Sequence, residues 1–144
     1  MLFPKKVKHR KWQTNRISEE RRNRPDTRGI TVSYGEYGLK ATSASRVKSN
    51  QIEAARRVIS RTLGKTGKVW IRIFPDRPIT KKAAELPMGK GKGDPDHFVF
   101  EVRPGRILFE IDGVPEDIAR EAFRKATAKL PVKGKFVRRE DTRV

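Results

Sequence analysis

The first 28 residues hold ten Lys or Arg, three acids and few apolar side chains, among them Leu2, Phe3, Val7, Trp12 and Ile17. Fixing a backbone costs roughly 1–2 kcal/mol per residue, whereas burying a large apolar side chain returns about 1.5–3 kcal/mol. So few apolar groups cannot offset the ordering of so long a segment. It is expected to be disordered alone and to order only against a partner that takes up cations. Lys5, Lys6, Lys8, Arg10 and Lys11 surround Trp12, and Arg16 follows. Cations of this kind pair with phosphates, while the indole can stack on an unpaired base or pack on the protein core.

The imbalance runs through the chain. Its 144 residues carry 35 Lys or Arg against 17 Asp or Glu, a formal net charge of +18. Self-repulsion at that charge destabilises a compact state, and a polyanionic partner removes the penalty. The absence of cysteine excludes disulfides and thiolate metal sites. No apolar run is long enough to span a bilayer, and the basic N-terminus lacks the apolar stretch a secretory signal requires. Glu19, Glu20 and Asp26 argue against a transit peptide. No membrane partner is expected.

Periodic apolar spacing begins after residue 28. Residues 31–34 read as a short strand, with Gly35 and Gly38 at a turn. From 50 to 63 the spacing is helical, with Ile52, Ala55, Ile59 and Leu63 on one face, Val58 at its edge and Gly64 as the stop. Asn50 and Glu53 have capping-box spacing. Residues 69–74 alternate, Val69, Ile71 and Ile73 opposite Trp70, Arg72 and Phe74, which predicts a strand. Residues 98–111 read as a hairpin about a type II turn at Pro104-Gly105. Pro115 opens a second helix, with Glu116 and Asp117 at its positive end. Its apolar stripe is Ile118, Ala122, Ala126 and Leu130, widened by Ala119 and Phe123, and Pro131 ends it. Residues 132–137 form a last candidate strand. The fold class is α+β: a mainly antiparallel sheet with two helices packed on one face, plus an extended basic N-terminal arm and a Gly/Lys-rich loop. The division is an arm at 1–28, a domain at 29–137 and a charged tail at 138–144.

Catalytic groups are sparse. His9 lies in the arm, and His97 follows Asp94 and Asp96, a grouping better read as a polar loop than as a metal site. No nucleophile elbow is present. Gly89-Lys90-Gly91-Lys92-Gly93 invites comparison with phosphate loops, but the Ser or Thr that must follow the Walker lysine is missing and a strand follows in place of a helix. Nucleotide hydrolysis is not expected, and neither is a cofactor, a metal or a small-molecule substrate. Glycines that let backbone N–H groups approach an anion, with two added lysines, still suit an RNA backbone.

The chain closely resembles the bacterial large-subunit ribosomal protein L-sixteen family. The resemblance rests on G-E-Y-G-L-K-A at 35–41, Q-I-E-A-A-R-R at 51–57, G-K-V-W-I-R-I-F-P-D-R-P-I-T at 67–80, M-G-K-G-K-G at 88–93 and D-G-V-P-E-D-I-A-R-E-A-F at 112–123, with K-L-P at 129–131. It implies an α+β structural constituent of the large ribosomal subunit, not an enzyme. Such a protein binds large-subunit (23S-type) rRNA beside neighbouring ribosomal proteins in the cytoplasm. It contacts A-site and P-site tRNA near the peptidyl-transferase centre. By the same resemblance, Lys5, Lys6, Lys8, Arg10, Lys11 and Arg16 of the arm are expected to bind rRNA, as are Arg56, Arg57, Arg72, Lys81 and Lys82. The loop of Met88, Gly89, Lys90, Gly91, Lys92 and Gly93 is expected to face rRNA and tRNA. Two departures stand out. Pro87 occupies a position where the family commonly has Arg, and residues 14–28 make a longer, more charged segment than the usual arm. Composition alone also admits a free-standing RNA-binding module, and the Asp94, Asp96 and His97 group an RNA-modifying enzyme; the ordered family blocks favour the ribosomal component.

Overall fold

The computed structural model of the protein describes residues 1–13 and 17–143. A single helical turn, α1 (Glu19–Arg22), lies in the arm. The body follows as β1 (Tyr37–Ala41), β2 (Ser45–Lys48), α2 (Ser49–Leu63), β3 (Lys68–Ile71), β4 (Arg77–Lys81), β5 (Asp94–Val102), β6 (Ile107–Asp112), α3 (Glu116–Thr127) and β7 (Gly134–Arg138). The α+β class holds, with the strands divided between two antiparallel sheets. One is ordered β3-β6-β1-β7 and the other β2-β5-β4.

The helices form where the apolar spacing placed them. Ile52, Ala55, Ile59 and Leu63 are the buried residues of α2. Gly64 stops the helix at φ +69°, its N–H donating to the Ser60 carbonyl. The capping partner differs from expectation: Lys48 precedes the helix and donates its N–H to the Gln51 side chain at 2.8 Å. Glu53 is instead bonded to Arg56 and Arg57 one turn on. In α3 the buried stripe is Ala119, Ala122, Phe123 and Ala126. Ile118 sits at the stripe's edge, exposed.

Both helices cover one face of the four-stranded sheet. Tyr37, Leu39, Phe109 and Ile111 point into that core with Phe123 and Ile59, and Val47 and Val102 of the three-stranded sheet join it. A bulge between Leu39 and Lys40 sets what the opposite face holds. Leu39 pairs with Phe109 but Lys40 pairs with Ile107, so Leu108 is the extra residue. One residue of slip reverses facing, and Ile107 therefore joins Gly38, Glu110 and Val137 on the outer face. There Ile107 and Val137 pack with Val32.

Three sequence expectations are corrected. Residues 31–34 form no strand; the strand begins at Tyr37 and contains Gly38. Gly38 belongs there because a Cβ on it would stand 2.7 Å from Val32 Cγ2. The segment 98–111 is not a hairpin. The turn itself forms, with Arg106 N–H bonded to the Arg103 carbonyl and Gly105 at φ +99°. It carries the chain from one sheet to the other, for β5 pairs with β2 and β4 while β6 pairs with β1 and β3. The true hairpin is β4–β5, and the Gly/Lys-rich segment is its loop.

Two outcomes follow. Gly38→Ala should lower stability by about 1–3 kcal/mol in urea unfolding, the usual range for overpacking, and Val32→Ala in the same chain should restore part of the loss. Arg56 beside Glu53 holds that carboxyl down at about 2. Its contribution is present above the ordinary carboxylate range and is lost as pH falls from there toward about 2. Glu53→Gln should therefore cost about 1 kcal/mol at neutral pH, and the two unfolding curves should converge in strong acid.

Candidate nucleic-acid interface

The β4–β5 hairpin projects its long loop from one end of the three-stranded sheet. Lys81 is the last residue of β4, paired with Asp94, and Lys82 begins the loop. Lys82 Nζ reaches back to the Gly89 carbonyl and, at 3.5 Å, to that of Pro87. Gly89, Lys90 and Gly91 have φ of +105°, +56° and +97°. Nothing lies within 4 Å of a Cβ built on either glycine, so both serve the backbone conformation and not close packing. Gly93 differs: a Cβ there would meet the Lys81 carbonyl carbon and oxygen at 2.8 Å. Met88 at the tip is fully exposed. The loop offers lysines and open backbone to solvent, with Pro87 holding no charge where Lys82 returns.

The arm lies against this loop. Lys11 Nζ donates to the Lys92 carbonyl at 3.1 Å, and Lys92 Nζ donates to the Trp12 carbonyl. Arg77 of β4 stands over the Trp12 ring, 5.6 Å from its centroid. At its start, Leu2 packs on the core and its carbonyl accepts from Ser49 Oγ at 2.5 Å. At its far end, Asp26 N–H bonds to the Pro104 carbonyl, and Arg106 reaches the Arg28 carbonyl and the Asp26 carboxylate. Between these anchors Lys5, Lys6, Lys8 and Arg10 are exposed. Arg16 lies outside the described residues.

The other expected contacts are spread more widely. Arg56 and Arg57 sit on α2, both tied to Glu53, Arg56 half-buried and Arg57 exposed. Arg72, just past β3, is four-fifths buried and paired with Glu110 Oε2. Glu110 is wholly buried. Its Oε1 accepts from the backbone N–H groups of Ser33, Tyr34 and Gly35 at 2.9, 2.7 and 3.0 Å. Arg72 also stands over Tyr34, which stacks on Trp70, and Lys68 stands over Trp70. Sequence reading did not single out Tyr34, Lys68 or Trp70 as functional. The available signal was the alternation that put Trp70 and Arg72 on the strand face opposite the core. Arg77 and Arg106, which hold the arm, were also missed, because each looks like one more surface cation until the fold brings the arm to it.

His97 Nδ1 lies 2.7 Å from Asp96, an exposed carboxyl that the imidazole holds below its usual range. Among the described residues no three His, Asp or Glu side chains converge as metal ligands. The cationic arm and loop are therefore the chemistry the surface offers: charge and backbone donors suited to phosphate oxygens.

Residues 4–137 match the family described as Ribosomal protein L16p/L10e. The chain is 55% identical over 139 residues to the "Large ribosomal subunit protein uL16" of Halorhodospira halophila (strain DSM 244 / SL1), covering 96% of this chain and 98% of that one.

If Trp12 fastens the arm, Trp12→Ala in the full chain should speed tryptic cleavage at Lys8, Arg10 and Lys11 by roughly two- to five-fold, the value of one exposed cation–π contact. Cleavage after Lys125 in α3 should not change.

Proposed function

The chain belongs to the ribosomal protein L16p/L10e family and is a structural constituent of the large ribosomal subunit, not an enzyme; from that premise we propose that its arm and its Gly/Lys loop together bind large-subunit rRNA. The loop tip would face tRNA in the A and P sites near the peptidyl-transferase centre. In bacteria this places the protein in the cytoplasm, among rRNA and other ribosomal proteins.

The observation that carries the reading is the contact between the cationic arm and the Gly/Lys loop. The arm holds a net +7 of the chain's +18 and lies against a loop with Lys90 and Lys92. Bringing like charges together costs energy in the free protein. An RNA backbone turns that cost into attraction, and release of its condensed counterions adds entropy. The body can tolerate such extensions because its own carboxylates are spent internally. Glu101 lies against Arg77 and Arg46, Glu116 against Arg120 and Arg138, and Glu121 against Arg124. In this reading the tRNA contact belongs to the loop tip, where Met88, Gly89 and Lys90 are most exposed. The Pro87 position contributes backbone only, since it has no side chain able to donate a hydrogen bond.

Affinity for a large-subunit rRNA fragment should fall steeply with salt, with log K losing about 0.7–0.9 per neutralised phosphate for each unit of log salt. Replacing Lys90 and Lys92 together by Ala should flatten that slope by about 1.4–1.8. An unchanged slope would put the loop off the RNA. A protein that washes from the large subunit in a high-salt gradient would be a transient binder and not a component.

A further inference from the structure

The outer face of the four-stranded sheet carries an aromatic surface built by Tyr34 and Trp70. Tyr34 and Trp70 lie nearly parallel, 21° between planes and 6.2 Å between centroids, so they form a step and not a sandwich. Lys68 Nζ is 5.0 Å from the Trp70 centroid, and Arg72 Cζ is 5.1 Å from that of Tyr34. Tyr34 is 59% exposed.

A tyrosine so exposed adds little to the core, yet its position is heavily determined. Its own N–H and those of both neighbours bond to the buried Glu110, whose other oxygen takes Arg72. Ser33 also gives its carbonyl to Arg139 at 3.1 Å, and Val32 N–H donates to Thr142 Oγ1 at 3.0 Å. Gly35 lies so close to β6 that a Cβ would stand 2.5 Å from the Ile111 carbonyl oxygen. A buried ion pair is a costly way to close a sheet, and apolar residues of similar volume often do it better. What it provides here is a rigid irregular loop, and what that loop presents to solvent is the Tyr34 ring.

We propose that Tyr34 and Trp70 are a stacking platform for an unpaired nucleobase of the rRNA, with Lys68 placed for the adjoining phosphate. Arg72 and Glu110 are positioning residues. Aromatic rings each with a cation over them match a base joined to a phosphate. Glu110, the carboxylate that takes the Tyr34 N–H, is wholly buried. Asp112, across from Lys68 in register, is turned to the Gly113 N–H at 2.8 Å. The surface therefore offers π faces together with positive charge, the combination a base joined to its phosphate uses and one whose charge an apolar protein segment would leave unmatched.

This rests on the rRNA-binding reading, and the test separates the two. The full-length protein is titrated with a 23S-type rRNA fragment across a salt series, comparing wild type, Tyr34→Leu and Tyr34→Phe. Tyr34→Leu should bind about 10-fold or more weakly, the loss of one stacked base, with the salt slope unchanged because no phosphate contact is removed. Tyr34→Phe keeps the ring and should bind like wild type. Equal binding by wild type and Tyr34→Leu overturns the platform while leaving rRNA binding intact. Failure of wild type to bind overturns the broader reading. Equal losses in both variants would assign the effect to the hydroxyl and also sink the stacking. Ultraviolet crosslinking of intact large subunits should join Tyr34 or Trp70 to a nucleotide; crosslinks from them to another protein instead would overturn the proposal.

Discussion

The carboxylate of Glu110 sits at the centre of the four-stranded sheet with no access to solvent. An ion placed there must have its charge matched and its lone pairs filled. Arg72, just past the neighbouring edge strand, supplies the charge, and three successive backbone N–H groups at 33–35 supply the donors. Much of the outer face follows from that demand. The chain before β1 must cross the sheet as a loop, because its N–H groups are committed to a side chain and cannot join a ladder. Val32 is thereby carried onto Ile107 and Val137, and Gly38 must lack a side chain to let it pass. The C-terminal turn then closes over the loop through Arg139 and Thr142.

On the other face the arrangement is ordinary and apolar, and this difference explains which parts of the fold were legible. The α2 stripe was readable because helix burial depends on spacing within one segment: Ile52, Ala55, Ile59 and Leu63 declare their face without reference to anything distant. The α3 helix was equally visible, although Ile118 overstated the width of its stripe, since only packing against α2 and the sheet decides where an edge falls. Strand pairing is different. Phe98, Phe100 and Val102 alternate, Ile107, Phe109 and Ile111 alternate, and a Pro-Gly turn joins them; every local rule for a hairpin is met. Pairing is chosen by the whole chain, however, and β5 pairs with β4 across the Gly/Lys loop and with β2, leaving β6 to β1 and β3. The residues at 31–34 look like a strand for the same reason. Nothing local shows that Glu110, far along the chain, will claim the N–H groups of Ser33 and Tyr34.

The candidate site divides along the same line. That the arm and the Gly/Lys loop are cationic, poor in apolar groups and suited to phosphate was plain from composition and from the family blocks. That they lie against each other was not, because the contact needs Arg77 and Trp12 to meet, residues 65 positions apart. The Tyr34–Trp70 surface was hidden more deeply. Its cations looked like ordinary strand residues, and its organising group is an acid, the one residue type a search for anion-binding sites passes over.

Two kinds of electrostatic matching thus coexist in one small chain. Within the body, these carboxylates are matched internally: Glu110 by Arg72, Glu53 by Arg56 and Arg57, Glu116 by Arg120 and Arg138. Along the arm and loop, positive charge is left open. Lys11 and Lys92, two like charges, are held near each other by main-chain carbonyls, which are weak substitutes for anions. Such contacts hold the arm in register without satisfying it, so a phosphate entering between the two lysines would displace little and gain much. The body carries its stability with it, and the extensions keep theirs for the partner.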